Sequence, residues 1–356
     1  MNVLTQYIVK EILKGAFIAL ILLLTLFNLF TLADELKDLK GAYDLTAIFT
    51  YLALTSPRVC YELVPASALL GSLFVLGAMG NNRELIAMRA AGVSVLGIIQ
   101  SVLVAGAILT LFSFFIGELI APTAESKAQL LRATAQNQQL VSNAKYGLWL
   151  REDNKFINVR KLESNGELAD ISLYELDSEN GQLQTVTHAQ KAIYLQNAQQ
   201  WRLENLVQSQ ISTEKMQANS KTEQIWQTMI APDLVKLAVV NPDNLSLIDL
   251  AQYIQFLKGN QQKSQTFELA FWGRVVNPFV TFVMLLVATP FVIGVKRGVN
   301  VGSRMMIGIV IGMSFNILDK IFGHVGLIYD FNPLLIAIFP SLLVSSVSLY
   351  ALRRLL

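Results

Sequence analysis

The chain has 356 residues, of which 53% are hydrophobic and only 15% are charged. A typical soluble domain carries about a quarter charged residues, so this composition indicates a membrane protein with a water-soluble portion. The net charge of +2 provides no overall basic field for nucleic acid, and the single cysteine, Cys60, excludes an intrachain disulfide.

Six apolar stretches predict membrane-spanning helices, because a bilayer core about 30 Å thick requires about 20 mostly apolar helical residues. They cover residues 15–33, 63–80, 90–117, 275–295, 305–326 and 331–352. The first is longer than the apolar core of a usual signal peptide, so we expect it to be retained as a span. Pro290 is expected to kink or end the fourth span.

The distribution of lysine and arginine predicts the orientation. With six spans, both termini lie on one side, where the short segments hold nine Lys and Arg residues against four on the other side. The positive-inside rule therefore places the termini in the cytoplasm. The predicted organisation is three spans in residues 1–121, an exported insert at 122–268, and three spans in 269–356.

The insert has the pattern of a β domain. Short apolar runs with partial alternation recur along it, and Asn165-Gly166 and Asn180-Gly181 are hairpin-turn signals. This spacing predicts an all-β sandwich or jelly roll, followed by a helix at 247–257.

Motifs that carry chemistry are scarce. The sequence has no G-x-x-x-x-G-K-[ST] loop for ATP, no H-E-x-x-H and no cysteine cluster, so we expect neither a catalytic metal nor an enzyme. Mid-membrane carboxylates, which proton- or sodium-driven carriers usually need, are also rare. If the chain transports something, we expect the energy to come from a partner.

Two charged segments stand out between the apolar runs. In NNRELIAMRAAG, residues 81–92, Leu85, Met88 and Gly92 share one helical face. From the residues alone, this segment is equally a short helix that docks on an ATPase or a loop whose arginines fix topology. In DELKDLKG, residues 34–41, the cations suit phosphate groups at headgroup depth, although an ordinary solvated helix end is the favoured interpretation.

The sequence resembles a known family along nearly its whole length. The matching segments are VPASALLGSLFVLGAMGNNRELIAMRAAG at 64–92, GELIAP at 117–122, YGLWLRED at 146–153, LAVVNPDNLSL at 237–247 and ILDKIFG at 317–323. Their order and spacing are similar to those of the lipopolysaccharide export permeases, the YjgP/YjgQ family, and most like its LptG subunits.

The resemblance implies an α-helical membrane protein with six transmembrane helices and an inserted periplasmic jelly-roll domain, in the bacterial inner membrane. It implies a subunit of an ABC transporter that extracts lipopolysaccharide from the periplasmic leaflet and drives its export. The implied partners are an LptF-like sister permease, an LptB-like ATPase dimer that holds ATP and Mg, and an LptC-like membrane-anchored protein. The alternatives are an envelope-assembly scaffold and a self-powered lipid carrier.

The resemblance also implies three groups of site residues. The coupling residues on the ATPase side are Arg83, Glu84, Met88 and Arg89. The lipopolysaccharide-binding residues are Asp34, Lys37, Lys40, Lys127 and Arg132. The lateral-gate residues are Asn316, Asp319 and Lys320. The chain departs from the family pattern at Thr31 and Asp38, where lysines are expected, at Gln129, where a basic residue is expected, and at Lys320.

Overall fold

The computed structural model describes residues 3–39, 43–136, 147–163, 166–177, 180–212, 215–228, 230–293 and 301–354. The chain divides into two compact units. One comprises Met1–Lys37, Leu52–Glu125 and Gln265–Leu356, and the other comprises Asp38–Tyr51 and Ser126–Ser264.

The α-helices of the described residues are α1 Val3–Glu35, α2 Leu45–Asn81, α3 Glu84–Ala90, α4 Val95–Phe115, α5 Ala121–Ala135, α6 Pro232–Val239, α7 Leu247–Gly259, α8 Gln265–Ile293, α9 Val301–Ile328 and α10 Pro333–Arg353. A 3₁₀ turn, Leu36–Asp38, follows α1, and a π-helical turn, Ile116–Ile120, joins α4 to α5.

Six helical segments in the described part of the chain are long and apolar enough to cross a membrane, which confirms the predicted number of spans. Some boundaries differ from the prediction. Helix α2 begins at Leu45 rather than at residue 63, because its charged residues pair instead of interrupting it, with Arg58 Nε donating to Glu62 Oε1 at 2.9 Å. Helix α8 continues past Pro290 to Ile293.

The third span begins five residues later than the predicted residue 90, after a separate short helix. Residues 84–90 form the separate helix α3, and α4 begins only at Val95, where the Ser94 side chain accepts a hydrogen bond from the Gly97 amide at 3.1 Å. A serine at this N-cap position satisfies an amide that the new helix leaves without a partner.

The core of the helical unit collects apolar side chains from α1, α2, α3, α4, α8 and α9. Fully or almost fully buried members include Ile8, Ile12, Leu73, Leu76, Val102, Ala105, Leu285 and Ala288. Between membrane helices such side chains stabilise the bundle through close van der Waals packing, because lipid tails are as apolar as the side chains themselves. The short helix α3 joins this core through Leu85 and Met88.

The second unit contains one antiparallel sheet. Its strands are β1 Leu148–Glu152, β2 Lys155–Leu162, β3 Leu168–Leu176, β4 Leu183–Leu195, β5 Gln200–Ile211 and β6 Met216–Trp226. They lie in sequence order, each paired with its neighbours along the chain. The inserted β domain is therefore confirmed. Asn180-Gly181 lies in the connection from β3 to β4, whereas Asn165 of the other turn signal lies outside the described residues.

The sheet buries one face. Ile157 and Val159 on β2 are fully buried, and Asn158 between them is only 4% exposed. Leu203 and Leu206 on β5 are both buried although they lie three residues apart, and the exposed Asn205 between them has a φ of 50°. Trp201 is fully buried, and its Nε1 donates to the Ile230 carbonyl at 2.7 Å. The helix predicted at 247–257 is confirmed as α7.

Candidate functional site

Helix α3 lies between α2 and α4 and carries the four residues predicted to face an ATPase. Its first residue, Glu84, accepts a hydrogen bond at Oε2 from the Tyr7 hydroxyl of α1 at 3.0 Å, and at Oε1 from Asn82 Nδ2 at 3.4 Å. Arg83 and Arg89 are exposed. Leu85 and Met88 of the predicted apolar face are buried, whereas Gly92, the third predicted member, is exposed and lies beyond the end of α3 with a φ of 91°.

Met88 occupies a different environment from its three companions. Its side chain is 8% exposed and packs in the chain's own core, so it attaches α3 to the bundle. The surface of α3 that a partner protein can reach is formed by the exposed Ile86 and Arg89, with the half-buried Glu84 beside Arg83.

The backbone of Arg83 is unusual. Its φ of 63° lies in the left-handed region, which costs a residue with a side chain roughly 1–2 kcal/mol and favours glycine. Six other non-glycine residues of the described chain also have a positive φ, so this conformation alone assigns no function to the Arg83 side chain.

The predicted lipopolysaccharide-binding residues fall in both units of the chain. In the helical unit, Lys37 Nζ pairs with Asp34 Oδ1 at 2.7 Å, and both side chains are exposed. In the sheet-containing unit, Arg132 Nη2 donates to Asp38 Oδ2 at 3.0 Å, and the guanidinium lies 5.6 Å from the Tyr51 ring centroid.

Asp38, the residue that replaces an expected lysine, thus balances the charge of Arg132. Lys127 is exposed on α5. Lys40 lies outside the described residues.

The predicted gate residues share one face of α9. Asn316, Asp319 and Lys320 are spaced within one helical turn and are all exposed. The Asn316 side-chain amide donates to the Gly312 carbonyl at 3.2 Å, a bond within the helix that leaves its carbonyl oxygen directed elsewhere.

A buried ion pair in the helical unit has no counterpart in the sequence-based prediction. Arg274 of α8 donates through Nη1 to Glu118 Oε1 at 2.9 Å and to the Gly117 carbonyl at 3.0 Å. Its guanidinium lies 5.8 Å from the Tyr61 ring centroid, and a Cβ at Gly117 would lie 2.4 Å from that ring. The glycine and glutamate of the GELIAP segment therefore fit together three helices, α2, the α4–α5 segment and α8.

The described residues contain no group of three or more His, Cys, Asp or Glu side chains that could hold a metal ion. The helical unit instead offers a short charged helix, α3, attached to its core, and spans whose outer faces are apolar.

Comparison with known proteins identifies the family. The family model described as lipopolysaccharide export system permease LptF/LptG matches residues 6–354. The chain belongs to the LptF/LptG permease family.

Two relatives show how far the likeness to this family extends. The lipopolysaccharide export system permease protein LptG of Escherichia coli (strain K12) is 32% identical over 355 residues, covering 99% of this chain and 98% of that protein. The protein of the same name from Haemophilus influenzae is 31% identical over 343 residues, covering 96% of each. As a member of the LptF/LptG family, the chain is a multi-pass membrane permease and not an enzyme.

Proposed function

We propose that this chain is the transmembrane subunit of an ABC transporter that extracts lipopolysaccharide from the periplasmic leaflet of the bacterial inner membrane. The transporter then drives the lipid toward the outer membrane. The family match over residues 6–354, together with LptG relatives of nearly the same length, is the observation that carries this proposal.

The exposure of two spans supports a cavity for acyl chains. The most apolar windows of α1 and α9 are 11% and 17% buried within the chain, against 28% to 67% for the other four spans. Large apolar side chains of α1, such as Phe17, Leu22 and Phe30, are more than half exposed. We propose that α1 and α9, with the matching helices of an LptF-like sister permease, form the cavity wall.

An apolar wall is necessary on energetic grounds. Each CH₂ moved from an apolar environment into water costs about 0.8 kcal/mol, so an acyl chain of about twelve carbons costs roughly 10 kcal/mol. A lipid with several such chains leaves the bilayer only if another apolar surface replaces it. The exposed faces of α1 and α9 supply part of that surface.

The cationic side chains at the end of α1 and on α5 each suit a phosphate of the lipid. Ion pairs between exposed side chains, such as Lys37–Asp34, contribute only about 0–1 kcal/mol, so an incoming phosphate displaces the carboxylate at little cost. Arginine binds phosphate through two parallel hydrogen bonds, which gives Arg132 the same function once it leaves Asp38.

The energy comes from a partner in this proposal. An LptB-like ATPase dimer binds ATP and Mg, contacts α3 through Arg83, Glu84 and Arg89, and moves it during each cycle. The cavity then closes, and the lipid passes to an LptC-like membrane-anchored protein. This requires α3 and both termini to be cytoplasmic and the β domain to be periplasmic.

Reconstitution tests the proposal. The chain, its sister permease, the ATPase and the LptC-like protein are assembled in proteoliposomes that contain lipopolysaccharide, and the released lipid is measured against the ATP hydrolysed. We expect release that requires both ATP and the ATPase. Release from vesicles that hold this chain alone would instead support a self-powered carrier. Full ATP hydrolysis without release would overturn the proposal and favour a scaffold.

A further inference from the structure

One hydrogen bond joins α3 directly to α1, the helix that the proposed function places in the cavity wall. The Tyr7 hydroxyl donates to Glu84 Oε2 at 3.0 Å across 77 residues of sequence. We propose, resting on the proposed function, that Tyr7 is a positioning residue: it orients the Glu84 carboxylate and transmits displacements of α3 to α1.

Apolar side chains of α1 and α3 lie in one shared core beneath this bond. Leu85 and Met88 of α3 share one core with Ile8, Val9 and Ile12 of α1, and all five side chains are 8% exposed or less. Close-packed interiors transmit displacement because they have few voids into which a side chain can relax. Apolar contacts do not fix direction, whereas a hydrogen bond to a carboxylate oxygen does, and it is stronger when the acceptor is ionised.

Helix α1 is held again about two turns further along. A Cβ built on Gly71 of α2 would lie 2.3 Å from the Ala16 amide nitrogen and 2.4 Å from the Gly15 carbonyl carbon. The two backbones therefore touch at this crossing, and α1 cannot slide there without separating from α2. Beyond it, the exposed side chains of α1 follow, and Asn28 Nδ2 donates to Ser56 Oγ of α2 at 3.0 Å.

These contacts define two parts of α1. Helix α1 packs chiefly against α4, and its first part, from Tyr7 to Ala16, is also joined to α3 by the Tyr7 bond and to α2 at Gly71. The second part has an apolar face with little cover from this chain. A small rotation of the first part about the Gly15–Gly71 crossing moves the second part by a larger distance. In this proposal a displacement of α3 reaches the first part of α1 through the hydrogen bond between Tyr7 and Glu84.

The experiment uses the complete reconstituted transporter with Tyr7→Phe, which removes the hydroxyl and keeps the ring. Tyr350→Phe is the matched control, because the Tyr350 hydroxyl also forms an exposed hydrogen bond, with Arg354 at 2.6 Å, but within one helix. We expect Tyr7→Phe to lower the lipid released per ATP hydrolysed about fivefold, which corresponds to about 1 kcal/mol. Complex yield and thermal midpoint should stay unchanged, and the control should match the wild type.

A double-variant cycle separates positioning from a general structural role. Tyr7→Phe combined with Glu84→Ala should release no less lipid per ATP than Glu84→Ala alone, because both changes break the same bond. Glu84→Gln retains a side-chain oxygen that accepts from Tyr7, so we expect Tyr7→Phe to remain harmful in that background.

Three results would overturn the inference. The first is that Tyr7→Phe releases as much lipid per ATP hydrolysed as the control. The second is that the effects of Tyr7→Phe and Glu84→Ala add in the double variant. The third is that Tyr7→Phe lowers the yield of the complex and leaves the lipid released per ATP unchanged. A wild-type complex that hydrolyses ATP and releases no lipid would overturn the proposed function and this inference with it. A competent wild type with an unaffected Tyr7→Phe variant would overturn the inference alone.

Discussion

The crossing of α1 and α2 provides a quantitative test of the packing on which the account depends. Replacing Gly71 by alanine places a methyl group 2.3 Å from the Ala16 amide nitrogen and 2.5 Å from the Ala16 Cα. Overpacking a core costs about 1–3 kcal/mol when side chains can adjust, and backbone atoms cannot rotate away. We therefore expect Gly71→Ala to destabilise the chain by about 3 kcal/mol.

Thermal denaturation of the purified protein in detergent measures this effect. A loss of 1 kcal/mol lowers the midpoint of domains of 150–250 residues by about 2–4 °C, so we expect a fall of at least about 5 °C. Gly273→Ala on α8 is the control, because nothing lies within 4 Å of a Cβ at that position. Equal midpoints for Gly71→Ala and Gly273→Ala would refute the close crossing.

The remaining predictions concern the ion pair, the β domain and the coupling surface. Arg274→Met removes the cation paired with the Glu118 carboxylate, which is 14% exposed, and should destabilise the folded chain by about 3–5 kcal/mol. Adding Glu118→Leu should restore most of the folded protein seen in gel filtration, and no recovery would contradict the pairing. Burial raises the pKa of Tyr253 to about 12. In the unfolded chain the Tyr253 hydroxyl ionises near pH 10. Its contribution to the stability of the β-domain unit should therefore be fully present below about pH 10 and fall by up to roughly 3 kcal/mol by pH 12. The free energy of unfolding of Tyr253→Phe, measured with denaturant, should not show that loss. The same pH dependence in Tyr253→Phe and the wild type would contradict the prediction. Arg89→Ala should reduce the ATPase retained in co-purification, and full retention would show that Arg89 is not at the contact.

The features that could be predicted from the sequence depend on local patterns. Long apolar runs determine the number of spans, and the Asn180-Gly181 pair marks the β3–β4 hairpin. Leu85 and Met88 were assigned to one face because side chains three apart on a helix are neighbours. The sequence predicts too short an α2, because the apolar run is interrupted by Arg58 and Glu62. In the folded chain these two residues pair with each other and the helix continues through them.

The features that were missed depend on contacts between distant parts of the chain. Tyr7 meets Glu84 across 77 residues, Arg132 meets Asp38 across 94, and Arg274 meets Glu118 across 156. No spacing rule connects such positions, because tertiary packing alone brings them together. The side chains of β5 also depart from strict alternation, since Leu203 and Leu206 are both buried and the Asn205 backbone between them has a φ of 50°.

The central claim is that α3 faces the cytoplasm, where a nucleotide-driven partner can act on it. Asn82→Cys, made in a Cys60→Ala background, places a single thiol at an exposed position next to α3. Ser220→Cys on the exposed strand β6 is the matched control. With a membrane-impermeant maleimide on spheroplasts, the account predicts labelling of Ser220→Cys at once and of Asn82→Cys only after lysis. Labelling of Asn82→Cys in intact spheroplasts would contradict the account.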